Sequence, residues 1–260
     1  MIWYVQDGNI EFAALDRNAL PLVKTLDDLG IARVSIGYDA ETKAITGLSS
    51  ADATQPGFFY GSTTVAEIAA QSGFRPGAYY DLTWFDPAQW LDKRNDLLNQ
   101  EQRLISVGEF RRNWIDGPVF VKSVSPKVLT GMVLEGPEAT WWLEEYSGLD
   151  ESEVLVVSPV CDIIQEWRFF LVDGEVVAGS QYRHDGITRI REPIAPEVWD
   201  RARRLAEGWV PSPHCVMDVC LTREGDMKIV EFNSINSSGF YAADIRRFVE
   251  AVELLTPQYS

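Results

Sequence analysis

The sequence predicts an α/β region followed by a larger α+β region. Three observations carry this. Over the first hundred residues short apolar runs alternate with helical patterns, the signature of a layered sheet with parallel strands. Beyond that stretch strands and hairpins dominate, with Asp173-Gly174 as a strong two-residue turn signal. The closing segment then sets Ile245, Phe248, Val249, Val252 and Leu255 on one helical face. With 260 residues, 46% of them hydrophobic, the chain is long enough and apolar enough to bury a sizeable core.

In order, Ile2 to Val5 reads as a strand, Leu20 to Leu29 as a helix ended by Gly30, Ala32 to Ile36 as a second strand and Gly57 to Tyr60 as a third. A helix opens at Ser62 and stops at Gly73; Gly61-Ser62-Thr63-Thr64 has no lysine and is not a P-loop, so Ser62 is read as a cap before a phosphate binder. Asp86 to about Leu104 reads as a polar helix. Pro118 to Lys122 and Glu153 to Val157 are strands, and Cys161 to Tyr182 is a hairpin. Glu197 to Glu207 is a helix stopped by Gly208, and Cys215 to Leu221 with Met227 to Asn233 makes a second hairpin.

Charge and composition narrow the function. The chain carries 23 basic and 39 acidic residues, a net charge of -16, with no Lys/Arg-rich run, which argues against gripping nucleic acid. No basic segment leads into an apolar stretch at the start and no run of apolar residues is membrane-length, so a cytoplasmic protein with no membrane partner is expected. Cys161, Cys215 and Cys220 form no C-x-x-C pair and fit reduced thiols. The two histidines, His184 and His214, have no nucleophile beside them, and a zinc site from His214, Cys215 and Cys220 lacks a fourth ligand.

The second hairpin carries the chemistry. A turn centred between Glu224 and Gly225 sets Asp218 opposite Glu231, with Asn233 on the face of Glu231 and with Val230 and Phe232 pointing into a core. Opposed carboxylates repel, and a divalent cation removes the penalty; Asp, Glu and Asn oxygens are hard ligands suited to magnesium. The alternative is a solvated acidic face, which the apolar flanks oppose. On the first hairpin, folding back at Asp173-Gly174 pairs Arg168 with Gly179 and Glu166 with Gln181, making a polar platform of Glu166, Arg168, Gln181 and Arg183. Two readings are open there: the arginines fork onto phosphate, or Glu166 and Arg168 pair with each other. Lys122 ends the apolar strand VFVK, with Lys127 five positions on; a strand-end lysine over a cleft binds phosphate, although surface lysines at strand ends are common.

Lysine strand, acidic-basic hairpin and two-stranded carboxylate site occur in the order that resembles the ATP-grasp superfamily, in particular its clade named for an arginine and two lysines. The resemblance rests on PVFVKSVSPK, VLVVSPVCDIIQEWRFFLVDGEVV and VMDVCLTREGDMKIVEFNSINSSGFY and covers roughly residues 106 to 250. It implies a pre-ATP-grasp α/β domain over 1–105 and an ATP-grasp domain over 106–260, divided into a smaller lid part, 106–158, and a larger metal-binding part, 159–260. ATP is then expected between antiparallel sheets. Lys122 and Lys127 would meet its phosphates, the connector from Val157 and Ser158 to Val160 its adenine edge, and Asp162 its ribose. Glu166 and Arg168 would join the nucleotide site, and Asp218, Glu231 and Asn233 would hold Mg2+. Arg168 also matches the clade's arginine, while Arg183 and Asn236, in the loop from Ser234 to Gly239, would face the acceptor.

The activity implied is an ATP- and Mg-dependent carboxylate–amine ligase working through an acylphosphate, on a small-molecule or peptide carboxylate and an amine acceptor. Rival readings are a non-catalytic nucleotide sensor or accessory protein and a small-molecule kinase on the same fold. A homodimer is the ordinary expectation for the assembly. Trp141-Trp142 could line an acceptor pocket, with core packing the stronger reading.

Overall fold

The structure is a computed structural model that describes residues 1–7, 13–49, 56–72, 77–81, 83–113, 117–125, 128–135, 149–190 and 193–255. Three sheets follow one another along the chain. The first has the order β3-β2-β1-β4, from β1 (Ile2–Gln6), β2 (Arg33–Asp39), β3 (Ala44–Thr46) and β4 (Gly57–Tyr60). β1 lies parallel to β2 and β4, as the alternating pattern predicts, and β3 adds an antiparallel edge. The crossover α1 (Ala13–Leu29) begins upstream of the expected Leu20. It ends where expected: Gly30 takes φ +67°, and the N–H groups of Gly30 and Ile31 close onto the Asp27 and Leu26 carbonyls. α2 (Thr63–Gln71) is capped by the Ser62 hydroxyl, which accepts from the Val65 N–H, so this residue is a cap as read.

The second sheet, β5-β8-β6-β7, combines β5 (Arg103–Ser106), β6 (Val119–Ser123), β7 (Met132–Leu134) and β8 (Val154–Pro159), all antiparallel. β5 crosses the 105/106 position and is hydrogen-bonded into this sheet. The third sheet, β11-β10-β9-β12-β13, is built from the two long hairpins: β9 (Ile163–Val172) with β10 (Glu175–His184), and β12 (Cys215–Thr222) with β13 (Met227–Ser234). β11 (Ile187–Thr188) adds a short edge.

One sequence expectation fails here. Asp86 to Leu104 is not one helix; only α3 (Ala88–Leu91) forms, and the chain then runs beside β13. The Leu98 N–H donates to the Ile229 carbonyl at 2.7 Å and the Ile229 N–H to the Asp96 carbonyl at 2.9 Å. Arg94, almost fully buried, donates to both oxygens of Asp96 and to the carbonyls of Leu205 and Trp209. Pairing an edge strand and satisfying a buried guanidinium outweigh a helix that had only polar, weakly periodic sequence in its favour. After β5, the short α4 (Val107–Arg112) is capped by Ser106.

The third sheet is buried on both faces. Trp167, Phe169, Met217 and Ile229 pack under α5 (Pro196–Ala206) through Ala202 and Ala206. The other face joins the first sheet: Phe170 and Val216 share a core with Trp3, Phe58, Phe240 and Phe248, the last on α6 (Ile245–Glu253). Each fully buried aromatic contributes about 1.5–3 kcal/mol, so the first and third sheets cohere as one core. The second sheet has its own core around Val107, Phe110, Val121 and Leu155, and the cavity opens along its junction with the other two. Among the described residues no helix is long and apolar enough to cross a membrane.

Candidate active site

The third sheet turns its polar stripe toward a cavity of about 930 Å³, whose other walls come from the second sheet and from the first region at Thr63, Tyr80 and Phe85. Lys122, Glu166, Arg168, Arg183, Asp218, Glu231 and Asn233 all reach this one space.

Asp218 lies directly opposite Glu231, as predicted, but by a different route. Near the tip the pairing is Leu221 with Met227 and Val219 with Ile229, so the turn is centred on Glu224 and not between Glu224 and Gly225, which shifts the pairing register by one residue. Gly225, at φ +90°, closes this three-residue loop. A bulge at Val230 then shifts the register by one and restores the Asp218–Glu231 opposition. The bulge also lets Ile229 and Phe232 both enter the core while Val230 and Glu231 both line the cavity; the expectation that Val230 points into the core is corrected.

The first hairpin departs further from its predicted register. Shifts between Val176 and Ala178 and between Gln181 and Arg183 pair Arg168 with Ser180 and Glu166 with Arg183. Gln181 lies opposite Trp167 instead, away from the platform, and its amide oxygen accepts from Gln165. The second bulge brings the consecutive residues Tyr182 and Arg183 to the same face. The Tyr182 hydroxyl donates to Glu166 at 2.8 Å, and Arg183 Nη1 donates to it at 3.1 Å. Glu166 therefore does not pair with Arg168.

Arg168 pairs with Asp218, which lies beside it on the adjoining strand: Nε and Nη2 donate to the two carboxylate oxygens at 2.8 and 2.7 Å, and Nη1 to the Gly239 carbonyl at 3.3 Å. Burial alone would favour deprotonation of Arg168, but Asp218 reverses this and holds the guanidinium more firmly protonated than usual. Lys122, from the second sheet, makes an ion pair with Glu231 on the third. Burial pushes the Glu231 carboxyl up; Lys122 and the Asn233 amide outweigh it and leave the group below its ordinary range. Asn233 Nδ2 donates to Asp218 at 3.2 Å and to Glu231 at 3.0 Å, so the three candidate metal ligands are linked by hydrogen bonds through the amide. The opposed carboxylates are thus neutralised by Arg168 and Lys122 within the protein, and their opposition does not by itself require a cation.

Val157, Ser158, Asp162 and Asn236 do not line the cavity. Val157 belongs to the core of the second sheet, and the buried Ser158 hydroxyl bonds to Asn99; of the connector, Val160 lines the cavity. The Asp162 carboxylate is exposed and taken by Arg223, whose hydrogen bonds hold it below the usual carboxylate range. Asn236 does not face an acceptor. It is fully buried, donating to the Phe59 and Gly77 carbonyls at 2.7 and 2.6 Å and accepting from the Tyr79 N–H at 2.7 Å, which staples the loop after β13 to the first sheet. Lys127 and Trp141-Trp142 lie outside the described residues.

Sequence reasoning missed Tyr182 and Tyr241. Their rings stack at 5.2 Å with 15° between planes, and the Arg168 guanidinium carbon lies 5.2 Å from the Tyr241 centroid and 5.9 Å from that of Tyr182. The hydrophobic alternation of β10 gave no signal for Tyr182 because a bulge delivers it. Among the described residues no group of three or more His, Cys, Asp or Glu side chains is arranged to hold a metal, so any ion here uses the Asn233 amide as well.

Residues 100–251 match a family model of the ATP-grasp domain, the second family of the clade named for an arginine and two lysines. No curated protein sequence matches the chain. Among solved structures, the D-cycloserine synthetase DcsG is similar over 96% of this chain and 98% of its own at 12% identity, with a TM-score of 0.62. The ATP-grasp ligase PsnB complexed with minimal precursor covers 98% of both chains at 14% identity and a TM-score of 0.60. D-alanine–D-alanine ligase from Bacillus anthracis covers 97% of this chain and 92% of its own at 12% identity and 0.60. At these identities the likeness is one of fold.

Proposed function

Because the chain belongs to the ATP-grasp domains of the arginine-and-two-lysine clade, second family, we propose that it is an ADP-forming ligase that joins a carboxylate to an amine with consumption of one ATP. One observation carries the reading: Lys122, Arg168, Asp218, Glu231 and Asn233, from two sheets, converge on a single cavity of about 930 Å³. A ligase with an acylphosphate intermediate needs no enzyme nucleophile, in keeping with a site built from charges and amides. Substrate carboxylate attacks the γ-phosphorus, the bond to the ADP oxygen breaks, and an acylphosphate results. The amine then attacks the acyl carbon, phosphate leaves with the C–O bond's electrons, and the amine gives up a proton. The catalytic requirement is in-line positioning and neutralisation of developing charge.

The residues fit magnesium. Asp218, Glu231 and Asn233 offer hard oxygens on side chains that already touch through hydrogen bonds. Among the described residues the cavity cluster is also charge-balanced, Lys122, Arg168 and Arg183 against Glu166, Asp218 and Glu231, so a polyphosphate entering it favours an added cation. When bound, Mg2+ supplies charge neutralisation to the phosphate oxygens. Lys122 is assigned to the phosphates and the Val160 end of the connector to the adenine edge. Arg168 has five N–H groups, of which three are used by Asp218 and Gly239, leaving two for a phosphoryl or acyl oxygen. Arg183, half exposed and tethered by Glu166, is assigned to the acceptor.

The test is calorimetric titration of Mg-ATP into the wild type and Glu231→Gln, followed by ADP release with carboxylate and amine pairs. Magnesium-dependent binding that Glu231→Gln weakens, with ADP release that needs the amine, supports the ligase. ADP release without any amine requirement points to a kinase, and binding without turnover to a sensor.

A further inference from the structure

Tyr241 stands directly after the aromatic core residue Phe240 and takes φ +52°, a left-handed backbone that a bulky side chain rarely adopts. Core burial does not account for the residue, since 45% of it is exposed on the cavity wall. Its ring instead lies over the guanidinium of Arg168 and in parallel stack with Tyr182, whose hydroxyl is anchored on Glu166. In its plane, Arg168 is fixed by Asp218 and the Gly239 carbonyl. Those bonds hold three of its N–H groups, and the two tyrosine rings pack against the guanidinium beside them, with its carbon 5.2 Å from the Tyr241 centroid and 5.9 Å from that of Tyr182.

We propose that Tyr241 is a positioning residue for Arg168: stacked with Tyr182, its ring packs against the guanidinium, restricts its movement and keeps water from that side, so that the remaining N–H groups stay aimed into the cavity. The strained backbone is retained because it is what brings the ring over Arg168. The inference rests on the reading of Arg168 as a group that meets the reacting oxygens. Glycine would relieve the backbone and remove the ring at once; phenylalanine would keep the ring and the strain without the hydroxyl.

The experiment uses the full chain as wild type, Tyr241→Gly and Tyr241→Phe. Reaction of Arg168 with phenylglyoxal is followed by peptide mass spectrometry, alongside melting temperature and Mg-ATP calorimetry. The glycine variant is expected to melt no lower than wild type while Arg168 labels roughly tenfold faster, and the phenylalanine variant to label as wild type. Labelling of the glycine variant within about twofold of wild type, or equally fast labelling in both variants, overturns the proposal. A lower melting temperature together with faster labelling at arginines throughout the chain also overturns it, because general loosening would then be the cause. Failure of the wild type to bind Mg-ATP would sink the ligase reading and leave the labelling result standing; intact binding with unchanged labelling sinks the positioning role alone.

Discussion

Lys122 and Glu231 form an ion pair that joins the second sheet to the third across the cavity. The pair is also an exchange point, since a phosphate competes for the ammonium and a divalent cation for the carboxylate. Lys122→Ala is therefore expected to weaken Mg-ATP binding by about 1.5–3 kcal/mol, the worth of a charged hydrogen bond. The same variant leaves Glu231 without its cation, so affinity for Mg2+ alone should rise. Calorimetry with each ligand separately checks both signs; weaker binding of both would mean that the pair holds the site together and nothing more.

Asp218 answers differently from Glu231. Its carboxylate is buried against Arg168, and removing one member of a buried pair leaves the other charge uncompensated, at about 3–5 kcal/mol. Asp218→Asn should lower the denaturation midpoint markedly as well as nucleotide affinity. Glu231→Gln, at a site more than a quarter exposed, should affect binding with little loss of stability. Parallel urea melts of the two variants decide this, and equal midpoints would contradict the asymmetry.

Asn236→Ala should behave as a stability mutation. It removes three side-chain hydrogen bonds, to the Phe59 and Gly77 carbonyls and from the Tyr79 N–H, each worth about 0.5–1.5 kcal/mol. A fall in melting temperature of roughly 6 °C or more is expected for a chain of this size, with Mg-ATP affinity little changed below the transition. Unchanged stability with lost acceptor turnover would restore the residue to the acceptor site.

Gly208 is required by its neighbour. A Cβ there would lie 2.7 Å from Arg94 Nη1, and that guanidinium is held by Asp96 and the carbonyls of Leu205 and Trp209, so it cannot yield. Gly208→Ala is expected to cost about 1–3 kcal/mol by overpacking, measured by chemical denaturation. A midpoint equal to wild type would show that the Arg94 clamp relaxes freely.

His214 sets a pH dependence. Its Nδ1 accepts from the Asp173 N–H at 3.0 Å, its ring packs 4.3 Å from Tyr79, and burial holds its pKa below the ordinary 6.5. The unfolded chain then takes up a proton near 6.5 that the folded chain still refuses. Stability attached to the neutral ring is complete above that value and falls as the pH drops toward the lowered folded pKa, by up to about 1.4 kcal/mol per unit. His214→Phe should flatten the urea midpoint between roughly pH 7 and 5; an unaltered slope would assign the loss to other groups.

The succession of the main strands along the chain is legible in the sequence because it follows from short-range alternation and turn residues, whereas the expected Asp218–Glu231 opposition rested on the wrong turn centre and holds only because the bulge at Val230 restores it. The places of Gln181 and Val230 are not legible, because bulges at Val230 and in β10 shift register by one and hydrophobic spacing carries no mark of them; the Arg168–Asp218 pair is not because it depends on β9 lying beside β12, a long-range pairing. Asn236 escapes sequence reasoning because a polar residue near Asn233 in a Ser/Gly loop looks the same whether it faces a ligand or a buried carbonyl. The helix expected from Asp86 to Leu104 fails because Leu97 and Leu98 find their partner on β13, a long-range event that local polarity conceals.

The single-residue bulge at Val230 gives the hairpin two independent ends. Pairing from Val219 to Leu221 answers to the turn at Arg223 to Gly225, whereas pairing from Cys215 to Asp218 answers to the core beneath Phe232. A residue added to the turn is absorbed there at small entropic penalty, and Asp218 keeps facing Glu231 because the pairing beyond the bulge is pinned by that core. The separation of the two carboxylates along the chain is therefore free to drift while their separation in space is not. The tip is in this sense a region where insertions can accumulate in descendants of this chain without reaching the chemistry.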